Sequence, residues 1–213
     1  MKKVLAFALI LTLALPISAQ QALLGKSSKM AQMDKSPYME GAVPEVNGKV
    51  VFSKSIAAPG MSKADIFKIL ASWANLRFMA NTEYGLWNEP SYFKNLDYSA
   101  VKIADPVAGR LVCFGNEEQV FSNKVLAKDY TVLNYNLSLD ITDGNVNVTM
   151  TDIAYTYTLS NDPERILAED WITDKEAISK RGKLLRISGK FRIKTIDVKN
   201  EIFEEIENNL KKN

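Results

Sequence analysis

The chain has 213 residues, with 27 basic and 25 acidic side chains and no histidine. This length predicts one globular domain with short extensions. Without histidine, His-dependent acid–base catalysis and His-based zinc sites are excluded within this chain. The single cysteine, Cys113, cannot form an internal disulfide, and its apolar neighbours predict a buried and unreactive thiol.

Residues 1–19 have the pattern of a secretory signal peptide. Lys2 and Lys3 supply the positive start, residues 4–15 are apolar but too short to span a bilayer comfortably, and Ala19 suits cleavage. Cleavage would leave the mature chain close to neutral, which argues against a nucleic-acid partner. We therefore expect an exported protein, periplasmic or secreted, with no transmembrane segment after signal cleavage.

The rest of the chain predicts a flexible linker over residues 20–40 and a single domain over residues 41–213. The domain begins with a turn at Asn47-Gly48, a strand over residues 49–56 and a break at Pro59-Gly60. Ser62 followed by Asp65 predicts a helix N-cap. The apolar face of the helix is formed by Ile66, Ile69, Leu70 and Trp73.

Four strands are predicted next, over residues 98–104, 110–121, 130–141 and 146–159. The third alternates most clearly between apolar and polar side chains, which favours an antiparallel sheet with one covered face. In the fourth strand the apolar positions change parity, which predicts a β-bulge near Thr151-Asp152.

A loop is predicted over residues 160–164, and a capping box from Thr173 to Glu176 predicts a short helix that ends near Arg181. Ser188-Gly189 reads as another break, and the last helix is predicted from about Lys194 to Asn209. The element order is therefore strand, helix, four antiparallel strands, helix, an α+β fold. The apolar stripe of the last helix comprises Ile196, Ile202, Phe203, Ile206 and Leu210.

Two groups of motifs carry a resemblance to a known family. The first group is residues 41–54 (GAVPEVNGKVVFSK) with residues 59–63 (PGMSK); the second is residues 170–175 (DWITDK) with residues 188–197 (SGKFRIKTID). Over about residues 38–210 the chain resembles exported proteins of Bacteroides-type bacteria, a domain of unknown function with a TATA-binding-protein-like (TBP-like) fold. The resemblance implies a curved antiparallel sheet with helices packed on one face, and it supplies no catalytic residues.

Residues 80–96 form a long irregular stretch that is rich in aromatic side chains. Two interpretations remain open: an aromatic lid over a groove, or a loop that fixes itself to the core with its own rings. The ligand-binding candidates on this stretch are Trp87 and Tyr92, together with Tyr84 and Phe93.

Other charged groups have weaker functional signals. Glu169-Asp170 could supply an acid and a base, or simply solvated charge before a helix. Glu117 and Glu118 should point to opposite faces of a strand and cannot easily share a site. A basic run could meet an anionic headgroup or an acidic partner, or form a solvated face. The run comprises Lys180, Arg181, Lys183, Arg186, Lys190, Arg192 and Lys194.

Two functional hypotheses follow, neither of them an enzyme and neither with a cofactor or metal. The first is a small binding module for an apolar or amphipathic ligand in the bacterial cell envelope, with Tyr135, Tyr155 and Tyr157 among its lining residues. The second is a protein–protein or structural envelope module without a small ligand. An open pocket lined by these tyrosines would favour the first, and a filled core with an apolar outer patch the second.

Overall fold

The computed structural model describes residues 34–79, 98–124, 127–158 and 163–212. Backbone contacts divide the chain into two units, Met1–Pro37 and Tyr38–Asn213. A 3-10 turn covers Ser36–Tyr38, and the remaining elements belong to the second unit. Its helices are α1 (Lys63–Met79), α2 (Asp174–Ala177) and α3 (Ser188–Lys211). Its strands are β1 (Glu45–Val46), β2 (Lys49–Val50), β3 (Phe52–Ala57), β4 (Ala100–Asp105), β5 (Arg110–Lys124), β6 (Ala127–Thr142), β7 (Asn145–Thr158) and β8 (Pro163–Leu167).

Strands β3 to β8 form one antiparallel sheet in the order β3-β7-β6-β5-β4, and β8 also pairs with β7. β3 pairs with the first part of β7, from Asn145 to Met150, and β8 pairs with its last part, from Ala154 to Thr158. β1 and β2 form a separate two-residue ladder. The predicted antiparallel α+β architecture is confirmed.

The core lies between one face of this sheet and the helices α1 and α3. Along β6 the alternate side chains Leu133, Tyr135, Leu137, Leu139 and Ile141 are all buried. The expected stripe of α3 is also buried, and α1 contributes Ile66, Leu70 and Trp73 from its predicted face. Burial of these two periodic faces against each other is the main stabilising term in such a fold.

The predicted bulge in β7 is confirmed. The register passes from Asn134↔Ala154 to Asn136↔Thr151, so two residues of β7 lie opposite Tyr135. Asp152 is one of the two, with φ of 52°, the left-handed conformation that a bulge of this kind needs. The extra residue moves the apolar set of β7 back onto the covered face.

The start of the domain also follows the sequence pattern. Asn47 and Gly48 both have positive φ, as a two-residue hairpin turn requires. The Ser62 hydroxyl accepts a hydrogen bond from the Asp65 amide at 3.2 Å and donates to the Asp65 carboxylate at 2.6 Å. The predicted N-cap of α1 is therefore confirmed, although the single strand predicted over residues 49–56 is divided at Val51.

Two predictions near the C-terminal third were wrong. Residues 163 and 164, assigned to a loop, belong to β8, which the sequence conceals because it is a five-residue edge strand that begins with proline. The helix expected to reach Arg181 is a single turn, and Thr173 makes no side-chain cap. The chain then turns back, and Ile178 pairs with Leu184.

The last helix begins six residues earlier than predicted, at Ser188. Ser188-Gly189 is its first turn rather than a break. Gly189 is needed for packing, because a Cβ at this position would lie 3.1 Å from Leu184 Cβ. Glycine here allows the close approach of two segments, a use that local pattern cannot distinguish from a turn.

Candidate functional site

The predicted ligand-binding residues Trp87, Tyr92, Tyr84 and Phe93 lie outside the described residues, as does the whole predicted aromatic stretch. Whether that stretch is a lid or a core anchor stays a prediction. Among the described residues, the regions that could form a site are the interior of the domain, its outer clefts and the basic run.

The three strand tyrosines lie in the core. Tyr135, Tyr155 and Tyr157 are 0%, 1% and 9% exposed. Each hydroxyl has a protein partner: Tyr135 donates to Glu117, Tyr155 is hydrogen-bonded to the Thr195 hydroxyl at 2.6 Å, and Tyr157 donates to Asp129 at 2.8 Å. They therefore fill the interior and do not line an open pocket, contrary to the first hypothesis.

Tyr135 reaches Glu117 across a glycine. Gly115 lies directly opposite Tyr135 in the ladder, and a Cβ on Gly115 would be 2.1 Å from the phenol ring. The ring covers the glycine, a cross-strand pairing that leaves no space for a ligand. Burial, and then the Glu117 charge, raise the pKa of Tyr135 well above its usual value, so the phenol stays protonated as a donor.

Arg77, near the end of α1, completes this network. Its guanidinium lies 3.2 Å from Glu117, 2.9 Å from Glu205 and 3.1 Å from Glu201. Glu205 also accepts the indole N–H of Trp73 at 2.9 Å. Burial alone would lower the pKa of Arg77, but the carboxylates outweigh it and the pKa rises. The network joins α1, α3, β5 and β6, and among the described residues the buried Arg77 Nε has no hydrogen-bond partner.

A second polar cluster lies at the start of α3. The Lys190 ammonium donates to Asp129 at 2.6 Å and lies 4.3 Å from the centre of the Phe121 ring. Burial opposes ionisation of Asp129, but hydrogen bonds from Lys190 and Tyr157 outweigh it and lower the pKa of this carboxyl. Ion pair and aromatic rings together hold Lys190 in place.

Arg192 is the most deeply buried charge of the described residues. Its side chain is fully buried, and its guanidinium donates to the carbonyl oxygens of Tyr38, Met39 and Ile172 at 2.6–2.7 Å. It also pairs with Asp174 at 2.6 Å. The planar fork of arginine suits this arrangement, which joins the start of the domain to α2 and α3.

An open cleft of about 640 Å³ lies along α1. It is lined by residues of the turn before α1 and of its outer face, including Met61, Ile69 and Leu76, and by Asn209. Leu76 is 76% exposed. This cleft and one other in the described part of the chain have exposed apolar side chains in their lining.

The other is the basic loop, residues 179–187, which connects α2 to α3. Leu185 and Ile187 are 42% and 51% exposed, and they line a smaller cleft of about 410 Å³ with Trp171 and Arg186. The loop also carries Lys180, Arg181 and Lys183, all exposed. The sequence places these cations in one basic run with Arg192, but Arg192 is fully buried.

The remaining candidates are ion-paired, exposed or buried. Glu169 is paired with Lys49 at 2.8 Å and Asp170 is exposed. Glu117 and Glu118 do point to opposite sides, toward Arg77 and Lys128. Burial raises the pKa of Cys113 to about 12, as expected for a buried thiol.

The sheet face opposite the helices is polar and carries both signs of charge. Asn116 donates to Asn134 at 2.9 Å, and Asn136 donates to Asp152 at 2.8 Å. These side-chain amides therefore have acceptors on the neighbouring strands, an amide oxygen in one case and a carboxylate in the other. This face has none of the dense positive charge with which proteins neutralise phosphates.

Residues 34–79, 98–124, 127–158 and 163–212 contain no group of three or more cysteine, aspartate or glutamate side chains that could hold a metal ion. None of the helices in those ranges is both long and apolar enough to cross a membrane.

Comparison with known proteins places the chain among bacterial relatives. A family model described as a domain of unknown function (DUF4468) with TBP-like fold matches residues 52–156. A DUF4468 family protein from Bacteroides ovatus has a similar crystal structure, with TM-score 0.71, 36% identity, and 84% of this chain and 96% of that chain covered. A TBP-like protein from Parabacteroides distasonis shares the fold at TM-score 0.61 and 20% identity, covering 79% and 97%. No curated protein matches the chain.

Proposed function

We propose a function from the geometry of this chain, which belongs to the DUF4468 family, a domain of unknown function with a TBP-like fold. The protein acts as an exported, non-catalytic module of the bacterial cell envelope. It works through its outer surface and holds no small molecule in its interior. The observation that carries the proposal is the filled core, in which Tyr135, Tyr155 and Tyr157 are buried and bonded to protein groups.

The polar networks support a structural role for the interior. The ionisable groups that could serve in proton transfer, among them Tyr135 and Glu117, are already bonded to each other and to Arg77. A general acid or base must reach its substrate within hydrogen-bond distance. Tyr135 has no exposed surface for such an approach.

Native mass spectrometry of the purified chain tests the proposal. We expect charge states that correspond to the polypeptide alone, because a filled core has no volume for a retained ligand. A reproducible small-molecule adduct that survives mild desalting would contradict the proposal. The mass spectrum of the unfolded protein is the matched control for salt and buffer adducts.

The second candidate is the binding module for an apolar ligand, and the cleft along α1 is the observation that favours it. Leu76 lies at this cleft and is largely exposed. If an adduct is found, Leu76→Ser should weaken its retention without changing the melting temperature. Leu185→Ser, at the other apolar surface, is the control.

Export is part of the proposal and rests on residues 1–19. The positive start, apolar centre and small residue before Gln20 are the features that the secretion machinery reads. We expect N-terminal sequencing of protein from the native host to begin at Gln20. An intact Met1 in the cytoplasmic fraction would remove export from the proposal.

A further inference from the structure

We propose that the basic loop docks the protein onto anionic phospholipid membranes. The inference rests on the proposed function, because it names the partner of an outer surface. It is carried by the juxtaposition of four cations, which have no ion pair among the described residues, with two exposed aliphatic side chains on one preformed turn.

The turn is built by hydrogen bonds. The Ser179 amide donates to the Lys183 carbonyl at 2.8 Å, and the Gly182 amide donates to the Ser179 carbonyl at 2.8 Å. Gly182 has φ of 65°, a conformation in which glycine is favoured. The bridge between Ile178 and Leu184 closes the base. The cations at the tip are therefore held close together before any partner arrives.

These cations have no internal anion. Lys180, Arg181, Lys183 and Arg186 make no ion pair with any group in the described part of the chain, whereas Lys190 and Arg192 are paired with carboxylates. The nearby carboxylate of Glu176 is already close to Lys175, at 3.1 Å. Four like charges on nine consecutive residues therefore favour a partner with dense negative charge.

The apolar side chains define what kind of anionic partner fits. Leu185 and Ile187 are exposed beside the cations, and Trp171 lines the same small cleft. Membrane interfaces combine negative headgroups with an apolar boundary below them, and they favour basic residues flanked by aliphatic and aromatic ones.

The size of the surface favours a bilayer over an acidic protein. A stable protein interface uses about 20–30 residues on each side, and the basic loop offers nine. Membrane attachment needs fewer contacts, because each basic residue near an anionic surface adds to the affinity and a few inserted side chains complete it. The basic loop is large enough for membrane attachment but not for a stable protein interface.

Vesicle co-sedimentation of the exported chain tests the inference. The probes are vesicles of phosphatidylglycerol with phosphatidylcholine, and vesicles of phosphatidylcholine alone. We expect binding to the anionic vesicles only, weakened by salt. The N-terminus of the preparation must be sequenced first, because an uncleaved apolar leader would bind vesicles of either composition.

Two variants locate the binding. Lys180→Glu/Arg181→Glu/Lys183→Glu should lower the partition coefficient by at least roughly a hundredfold, taking about fivefold for each of the three cations lost. The matched control, Lys68→Glu/Arg110→Glu/Arg165→Glu, changes the net charge equally at exposed positions elsewhere and should retain most of the binding. Leu185→Ser/Ile187→Ser should weaken binding by about tenfold, since the inserted apolar surface is lost.

Several results would overturn the inference: no binding of the wild type to anionic vesicles, undiminished binding of the loop variant, or an equal loss in the control variant. Retention on a polyglutamate column without vesicle binding would also overturn it and assign the loop to an acidic polypeptide. Circular dichroism melting of each variant confirms that the fold is intact. The native mass spectrum tests whether the interior holds a small molecule, and vesicle co-sedimentation tests whether the basic loop binds membranes. The two proposals can therefore fail separately.

Discussion

Arg192 and Arg186 lie six residues apart, yet the structure uses them in opposite ways. Arg192 is fully buried and donates to three carbonyl groups and one carboxylate. Arg186 is exposed, with no ion pair among the described residues. The interior cations of the domain serve the fold, because each has fixed partners, whereas the cations of the basic loop remain available to a partner.

Replacing Arg192 should have the largest effect on stability. Arg192→Met would leave Asp174 and three carbonyl oxygens, those of Tyr38, Met39 and the buried Ile172, without this donor. The expected cost is about 5 kcal/mol. Arg192→Lys should restore only part of this, since an ammonium cannot reproduce the fork. Denaturant unfolding measures both.

Arg186→Met is the matched control for that comparison. The exposed side chain makes no ion pair in the described residues, so the change should stay within about 0.5 kcal/mol. Equal losses of unfolding free energy in Arg186→Met and Arg192→Met would contradict the distinction between the interior cations and those of the basic loop.

Trp73 tests the apolar part of the interior. The side chain is 7% exposed, as its predicted place on the apolar face of α1 requires. Its indole N–H donates to Glu205 of α3. Trp73→Ala should cost about 3–5 kcal/mol. Trp73→Phe keeps most of the volume and loses the hydrogen bond, so about 1 kcal/mol is expected. A loss below about 1 kcal/mol for Trp73→Ala would show that the site is not part of the core.

The buried tyrosines predict a loss of stability at high pH. Burial raises the pKa of Tyr155 above its usual value, only partly offset by its hydrogen bond to Thr195. Since the folded pKa is the higher one, this stability is fully present below the unfolded pKa of about 10 and is lost as pH rises above it.

Melting temperatures between pH 8 and pH 11 measure this effect. Tyr155→Phe should lower stability at neutral pH and flatten the alkaline slope. Tyr130→Phe, at a 40% exposed tyrosine, is the control. An unchanged slope in Tyr155→Phe would contradict the assignment.

The smallest expected effect concerns the reactivity of the Cys113 thiol. Its thiol has no exposed surface, and burial raises its pKa to about 12, so little thiolate exists at pH 8. We expect no reaction with Ellman's reagent in the native protein and full reaction in guanidinium chloride. Full labelling of the native protein would show that the β5 strand opens readily.

The sequence predicted the periodic elements well. The alternation of β6, the cap at Ser62 and the bulge at Asp152 depend on local pattern, and each is confirmed. It failed at β8 and at Gly189, where the outcome depends on which distant strand or side chain lies alongside. A local sequence pattern does not indicate which distant strand or side chain will lie alongside.

The basic run shows the same limit at the level of function. Sequence alone treats Arg186, Lys190 and Arg192 as one group, because burial is a property of the whole fold. The structure separates an exposed loop from a cation held against aromatic rings and from a fully buried one. The predicted tyrosine-lined pocket failed for a related reason, since aromatic strand residues serve a core as readily as a site.

Hydrogen–deuterium exchange of the exported chain, without its leader and with and without anionic vesicles, tests most directly whether the outer loop is the contact surface and the interior is structural. We expect vesicles to slow exchange in residues 179–187 and to leave the core strands β6 and β7 unchanged. Unchanged exchange in residues 179–187, or slowing confined to the α1 cleft, would contradict this division of roles.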